Sequence, residues 1–455
     1  MWMISQSGRR VVPFPIELIT CISLLGACAE QQTLPTSSPT GTQPASTATS
    51  APTVRSDGSL ELVGSGEGIV GPTVAVDRDG TVHVAWTEGL TGENTILHRH
   101  LASGQFWSEP ENLTEGFTYV SATRLMTDPD GRQCIFWRAA TPEAALYVRC
   151  LSEGQWSTAE QAVEQGGLTL SYVPGFLPDG RIVAAYVVPP SHIWLGEVEL
   201  TADGVTAAEP AFAVDANGGL HVAWRQFANQ TSQVDGMAYR YSGDGGASWD
   251  EEELLNEEGL SAHQLLADPQ GNVHWMARDG TYRRWTAAQG WSDATNAAGA
   301  QLVDGFIAVG EDGLARAVFP ARDGVYLTRQ IDDTTWTTAV LVEATADLSV
   351  SEAVLAVEDS GNLHLVWVTL GDNPTLLYLA LALGSNDEAL PASIGSATME
   401  ADGTIVLNLI ATGGGITGHG VIEYHPDHPD YQMILDHLGG LKPGQTKPVP
   451  PFPDE

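Results

Sequence analysis

Cations are what this chain most lacks. Its 455 residues include two lysines, Lys442 and Lys447, and 20 lysines and arginines in all against 57 aspartates and glutamates, a formal net charge of −37 at pH 7. A surface of that sign repels nucleic acid and anionic lipid head groups, which excludes both as partners of the folded part. Charged residues make up only 17% of the chain, so the imbalance reflects missing cations more than dense acidic runs. Several catalytic signatures are absent too: no phosphate-cradling glycine loop ahead of a helix, no His-Glu-x-x-His, no serine nucleophile elbow and no EF-hand spacing. Asp77-Arg78-Asp79-Gly80 opens like a calcium loop but lacks the later ligands, and it reads as a hairpin turn. No apolar run is long enough to span a bilayer; the best, Leu18 to Ala27, has the length of a signal core.

That short run follows Arg9 and Arg10 and ends Leu24-Leu25-Gly26-Ala27-Cys28, small residues leading into a cysteine. It resembles a bacterial lipoprotein signal, which implies removal of residues 1–27 and lipidation of Cys28. The resemblance places the mature chain on the extracytoplasmic face of a cell membrane, held by its lipid. Residues 28–55 are then mostly Ser, Thr, Pro, Gly and Ala, too poor in large apolar groups to offset their ordering entropy, and are expected to form a disordered tether.

From residue 56 the chain repeats. Gly80, Gly131, Gly180, Gly218, Gly271, Gly313, Gly361 and Gly403 each follow a turn residue and open a β-rich run, at a mean spacing of about 46 residues. Pro72-Thr73-Val74-Ala75-Val76-Asp77, the turn Arg78-Asp79-Gly80 and Thr81-Val82-His83-Val84-Ala85-Trp86 form one such hairpin, and Pro210 to Trp224 form another. A third strand, a Gly-containing turn with a Trp (Trp107, Trp156, Trp249, Trp291, Trp336) and a short fourth strand follow. Four antiparallel strands per unit predict an all-β, eight-bladed propeller over 56–426, with seven blades plus one aberrant unit as the alternative. Leu60 to Val63 resembles a fourth strand and is expected to complete the last blade, closing the ring. Residues 427–455 are expected to hold a short helix, with Pro429 and Asp430 at its start and Gly439 and Gly440 at its end, followed by a proline-rich tail.

One third-to-fourth turn, Ser242-Gly243-Asp244-Gly245-Gly246-Ala247-Ser248-Trp249, matches the Ser-x-Asp-x-Gly-x-x-Trp Asp box. On that motif and the repeat, residues 69 to about 426 resemble the sialidase-like (BNR-repeat) propellers. The resemblance implies a structural role for Ser242, Asp244, Gly246 and Trp249. Catalytic members of that family use three arginines, a Tyr with a Glu partner and an Asp, and carry an Arg-Ile-Pro segment. Here Arg181-Ile182-Val183 lacks the proline, although Arg124, Arg138, Arg225 and Arg278 remain candidates to converge on one face.

Cys134 and Cys150 lie on strands joined by a turn centred near Pro142, so they face one another across the hairpin. In an oxidising compartment that predicts a disulfide, with two buried thiols as the alternative. His83, His221, His274 and His364 share one place in the second strand, on different blades, and are read as strand residues bonding to neighbouring loops rather than as metal ligands. The tail cluster His419, His425, His428 and His437 with Asp427 and Asp430 is the better metal candidate, although such turns are commonly structural. The resulting expectation is a monomeric, surface-anchored, non-catalytic propeller that binds a glycan or a cell-surface protein, with no metal, no cofactor and no catalytic residue assigned. The alternative is a sialidase-like glycoside hydrolase.

Overall fold

The computed structural model describes residues 60–90, 92–163, 171–188, 191–202, 204–227, 234–256, 262–299, 302–344, 349–371, 373–381, 395–400, 402–413, 416–443, 446–449 and 452. The expected signal, Cys28 and the tether lie outside them. What is described is all-β: eight antiparallel sheets in eight successive repeats, in a propeller-like arrangement. Six of the sheets have four strands, and the second and fifth carry one further two-residue strand each. No helix among the described residues is long and apolar enough to cross a membrane.

The glycine turns set the repeat. In the first sheet, strands Val70–Val76 and Val82–Glu88 are joined by Arg78-Asp79-Gly80, with Gly80 N–H donating to Asp77 O and Asp77 N–H to Thr81 O. The loop therefore has three residues, its last at positive φ, a conformation that glycine adopts without steric cost. All eight repeat glycines have positive φ, between 71° and 91°. The second strands are the core of each sheet, and Trp86, Trp137, Trp224, Trp275 and Trp367 on five of them are fully buried.

The N-terminal strand corrects one expectation. Glu61–Ser65 does not complete the eighth sheet; it pairs antiparallel with Thr375–Leu381 and is the outer strand of the seventh. Val63 enters a cluster with Val82, Val84, Trp86, Val366, Val368 and Leu376, which joins the first and seventh sheets. Leu62 points outward, 55% exposed. The eighth sheet, Gly395–Met399, Ile405–Gly413 and Ile416–Tyr424, finds its fourth strand in the tail segment Thr446–Pro448, on the edge of Gly395–Met399. Helix α1, Tyr431–His437, covers this sheet by burying Ile434, with Leu438 just past its end, against Ala397, Met399, Ile405 and Leu407. The proline-rich tail supplies the outer strand that the N-terminal strand was expected to give, and the N-terminal strand joins instead the sheet whose core accepts Val63.

Candidate functional site

Each first strand runs from a loop edge to a glycine-turn edge, and the second strand returns. On the turn edge the four repeated histidines are all placed, and all are buried. His221 is typical. Its Nε2 lies 3.2 Å from Asp215 Oδ2, while Asp215 Oδ1 accepts the N–H groups of Asn217 and Gly219 that shape the turn. Its Nδ1 lies 2.7 Å from the hydroxyl of Tyr239 on the third strand. Asp268–His274–Tyr282 and Glu358–His364–Tyr378 repeat the arrangement, and Asp77–His83–His98 does so with a histidine in place of the tyrosine. Burial lowers the pKa of each of the four imidazoles, with the carboxylate opposing it, so they are held neutral.

The turn tryptophans extend these chains between sheets. Trp107 packs edge-on against Tyr378 at 5.1 Å, Trp156 against His98 at 5.0 Å, Trp291 against Tyr239 at 5.1 Å and Trp336 against Tyr282 at 5.0 Å. In each case the Trp belongs to one sheet and the ring it meets to the neighbouring sheet. A carboxylate, a His, a Tyr (or His98) and a Trp thus tie turn, sheet and neighbour. These residues cement the architecture, in line with the reading of the histidines as strand residues bonding to loops. The sequence showed the histidines and tryptophans; the tyrosines went unnoticed, although Tyr239, Tyr282 and Tyr378 share one place on the third strands of the fourth, fifth and seventh sheets.

Other sequence-derived residues fall out as follows. Cys134 and Cys150 are directly paired across strands Gln133–Ala139 and Ala145–Ser152 and form a disulfide. Asp244 accepts from Ser242 Oγ and from the N–H and hydroxyl of Ser248, bonds that hold its carboxyl down to about 2, while Ser242 Oγ accepts from Gly246 N–H. Trp249 packs on the core shared by the third and fourth sheets. Three of the four tail histidines have separate partners: His425 bonds Thr404 Oγ1, His428 accepts the Asp430 N–H, and the His437 ring stacks on Phe452, while the His419 side chain lies outside what is described. Among the described residues the one grouping with metal-ligand proximity is Asp128, Cys134 and Cys150, whose sulfurs are already joined.

The loop edge is chemically different. Arg138, Arg225 and Arg278 stand there at or just past the ends of the second strands of the second, fourth and fifth sheets. Arg225 pairs with Glu209 at 3.2 Å and lies over the Phe227 ring, and Arg278 pairs with Asp304. Two of the expected arginines therefore reach one edge already neutralised by carboxylates. Arg124, on the first strand of the second sheet, is exposed to solvent. Glu352, on the first strand of the seventh, accepts the Gly71 N–H, and burial raises its pKa.

The backbone is irregular at this edge. First strands of five sheets bulge near their loop ends, between Val70 and Thr73, Ser121 and Arg124, Ala208 and Ala211, Ala262 and Gln264, and Val350 and Glu352. Tyr119, Ser191, Glu209 and Asp304 here have positive φ, a strain of roughly 1–3 kcal/mol each that concentrates at working surfaces. Five exposed apolar side chains stand along the same edge: Val70, Leu90, Tyr119, Val303 and Leu370. At the opposite, glycine-turn edge, the ends of the first strands of the second to fifth sheets line an open pocket of about 350 Å³ with Met126, Pro174, Phe176, Val214 and Leu266.

No protein-family model and no curated protein matches the chain. Among solved structures it is similar to virginiamycin B lyase from Staphylococcus aureus, at 11% identity over 71% of this chain and 100% of that one, with a TM-score of 0.44. It is also similar to YCF48 bound to a D1 peptide (13% identity, 74% and 99% covered, TM-score 0.44). A third is the Trypanosoma rangeli sialidase in complex with sialic acid (13% identity, 73% and 60% covered, TM-score 0.40). None of the three assigns an activity to this chain.

Proposed function

We propose that this is a non-catalytic β-propeller, anchored through Cys28 to the outer face of a cell membrane, that binds a protein partner through its loop edge. The observation that carries the reading is the coincidence there of five exposed apolar side chains with four strained residues. Val70 stands on a bulged strand and Leu90, Tyr119, Val303 and Leu370 in loops at the same edge, and apolar groups left exposed on one edge are what an interaction surface offers a partner. The ion pairs Glu209–Arg225 and Asp304–Arg278 favour binding over carboxylate-substrate chemistry, because two of the available guanidiniums are occupied. A ring of seven sheets with the eighth beside it underlies this reading. Its support is the Trp107–Tyr378 contact between the first and seventh sheets, which has the same geometry as the three contacts between sheets consecutive in sequence.

Residues 28–55 act as a tether giving the disc reach from the membrane. Capture of partners from the host envelope, alongside a glycan array and a panel of fluorogenic glycosides, tests the function. A protein bound by the native chain and lost with Leu90→Asp supports it. Glycan binding without protein capture, or turnover of a glycoside, overturns it.

A further inference from the structure

Three relay histidines present Nδ1 to a phenol, with Tyr239, Tyr282 and Tyr378 at 2.7, 2.6 and 2.7 Å. In the first sheet His83 Nδ1 instead lies 3.1 Å from His98 Nε2. The exchange changes how many protons the contact tolerates. A phenol oxygen accepts from an imidazolium and still donates elsewhere, as Tyr282 does to Gln330. Two imidazole nitrogens in contact share one proton; a second leaves two N–H groups pointed at each other. We propose that the His83–His98 contact, over which Trp156 of the second sheet packs, is a proton-operated joint that holds the first sheet against the second, closed while His98 is neutral and released when His98 takes a proton.

The surroundings fit such a joint. His98 is buried, and the edge of Trp156 from the second sheet closes over it. His100, exposed on the same strand, stacks at 6.0 Å and leads from the buried pair to solvent. The charged and titratable groups that face the pair are few. Asp77 lies beyond His83, 3.3 Å from its far nitrogen, and Glu111 is opposite His98 on the outer strand. From the second sheet come Tyr147 and Arg149; Arg149 is the cross-strand partner of Ile135, which packs on the first sheet. Only Asp77 and Glu111 favour a cation here, and Asp77 already faces His83. Burial and the two neighbouring imidazoles push His98 down to about 3, whereas an expelled histidine titrates near its ordinary value of about 6.5. The open population therefore grows by up to about tenfold per pH unit below about 6.5.

Hydrogen exchange on the full chain between pH 7.5 and pH 5, corrected for intrinsic rates, reads this directly. Strands Thr95–Leu101 and Ala145–Ser152 with Gln155–Trp156 are expected to show an extra loss of protection, up to about tenfold per unit beyond that of Thr281–Thr286, which follows the single buried His274. His98→Tyr, which installs the phenol of the other sheets, abolishes the loss. His98→Phe removes the titrating group by another route and guards against a tyrosine that does not pack. Equal loss in all sheets, or persistence of the local loss in either folded variant, overturns the joint.

Discussion

The pairing of the N-terminal strand with the seventh sheet gives the sharpest stability test, because adjacent residues on that strand have opposite environments. Val63 is 1% exposed among Val82, Val84, Trp86, Val366, Val368 and Leu376, whereas Leu62 faces solvent. Val63→Ala deletes two buried methyl carbons and leaves a small cavity, a cost of roughly 1.5–3 kcal/mol. Leu62→Ala removes more carbon but none of it is enclosed, so its cost stays within about 0.5 kcal/mol. Deleting residues 60–65 goes further. It unpairs the edge of Thr375–Leu381 and removes the Gly66 N–H to Pro374 O and Arg99 to Val63 O bonds from their setting. Thermal unfolding of the three variants beside the native chain is the assay. Because so large a domain shifts by only a few degrees for each of these costs, urea midpoints provide the second reading. A Leu62→Ala cost equal to that of Val63→Ala, or a 60–65 deletion without effect, would refute the reasoning.

Three further outcomes are expected. Cys28→Ala leaves the chain without lipid, and incorporation of labelled fatty acid into that variant would reject the anchor. Without reductant, alkylation and intact mass should find no free thiol at Cys134 or Cys150, and labelling of both would contradict the bond. For His221, His274 and His364 the folded pKa lies below the unfolded value, so the unfolded chain binds more protons. Their contribution is complete above about pH 6.5 and is lost as pH falls, by up to about 1.4 kcal/mol per unit for each histidine. Urea midpoints that stay flat from pH 7 to pH 5 would show those histidines already exposed.

The repeat was legible because each unit writes its turn chemistry into the chain: a polar residue, a glycine that needs positive φ, then an apolar strand, with a histidine in four of the eight. The cysteine pairing was legible for the same reason, since a hairpin with a fixed turn fixes its register. The partner of Leu60 to Val63 was not, because three apolar residues and a glutamate suit the edge of any sheet, and only the packing of Val63 against both the first and seventh sheets decides between them. The loop edge was the least legible. Glu209 and Asp304 hold Arg225 and Arg278 from positions about 16 and 26 residues away in sequence, on bulged or strained backbone that no local pattern announces. The same irregularity that hid the edge is what supports the proposal that it binds the partner.

Binding measured on paired surface variants tests that claim most directly. Leu90→Asp with Leu370→Asp alters the loop edge, and Phe106→Ser alters the opposite edge at its most exposed apolar residue. With partner capture from the host envelope as the readout and melting temperature as the control for folding, the loop-edge variant should lose the partner and the Phe106 variant should keep it. Loss with Phe106→Ser and retention with the loop-edge pair would place the interface on the turn edge and contradict the account.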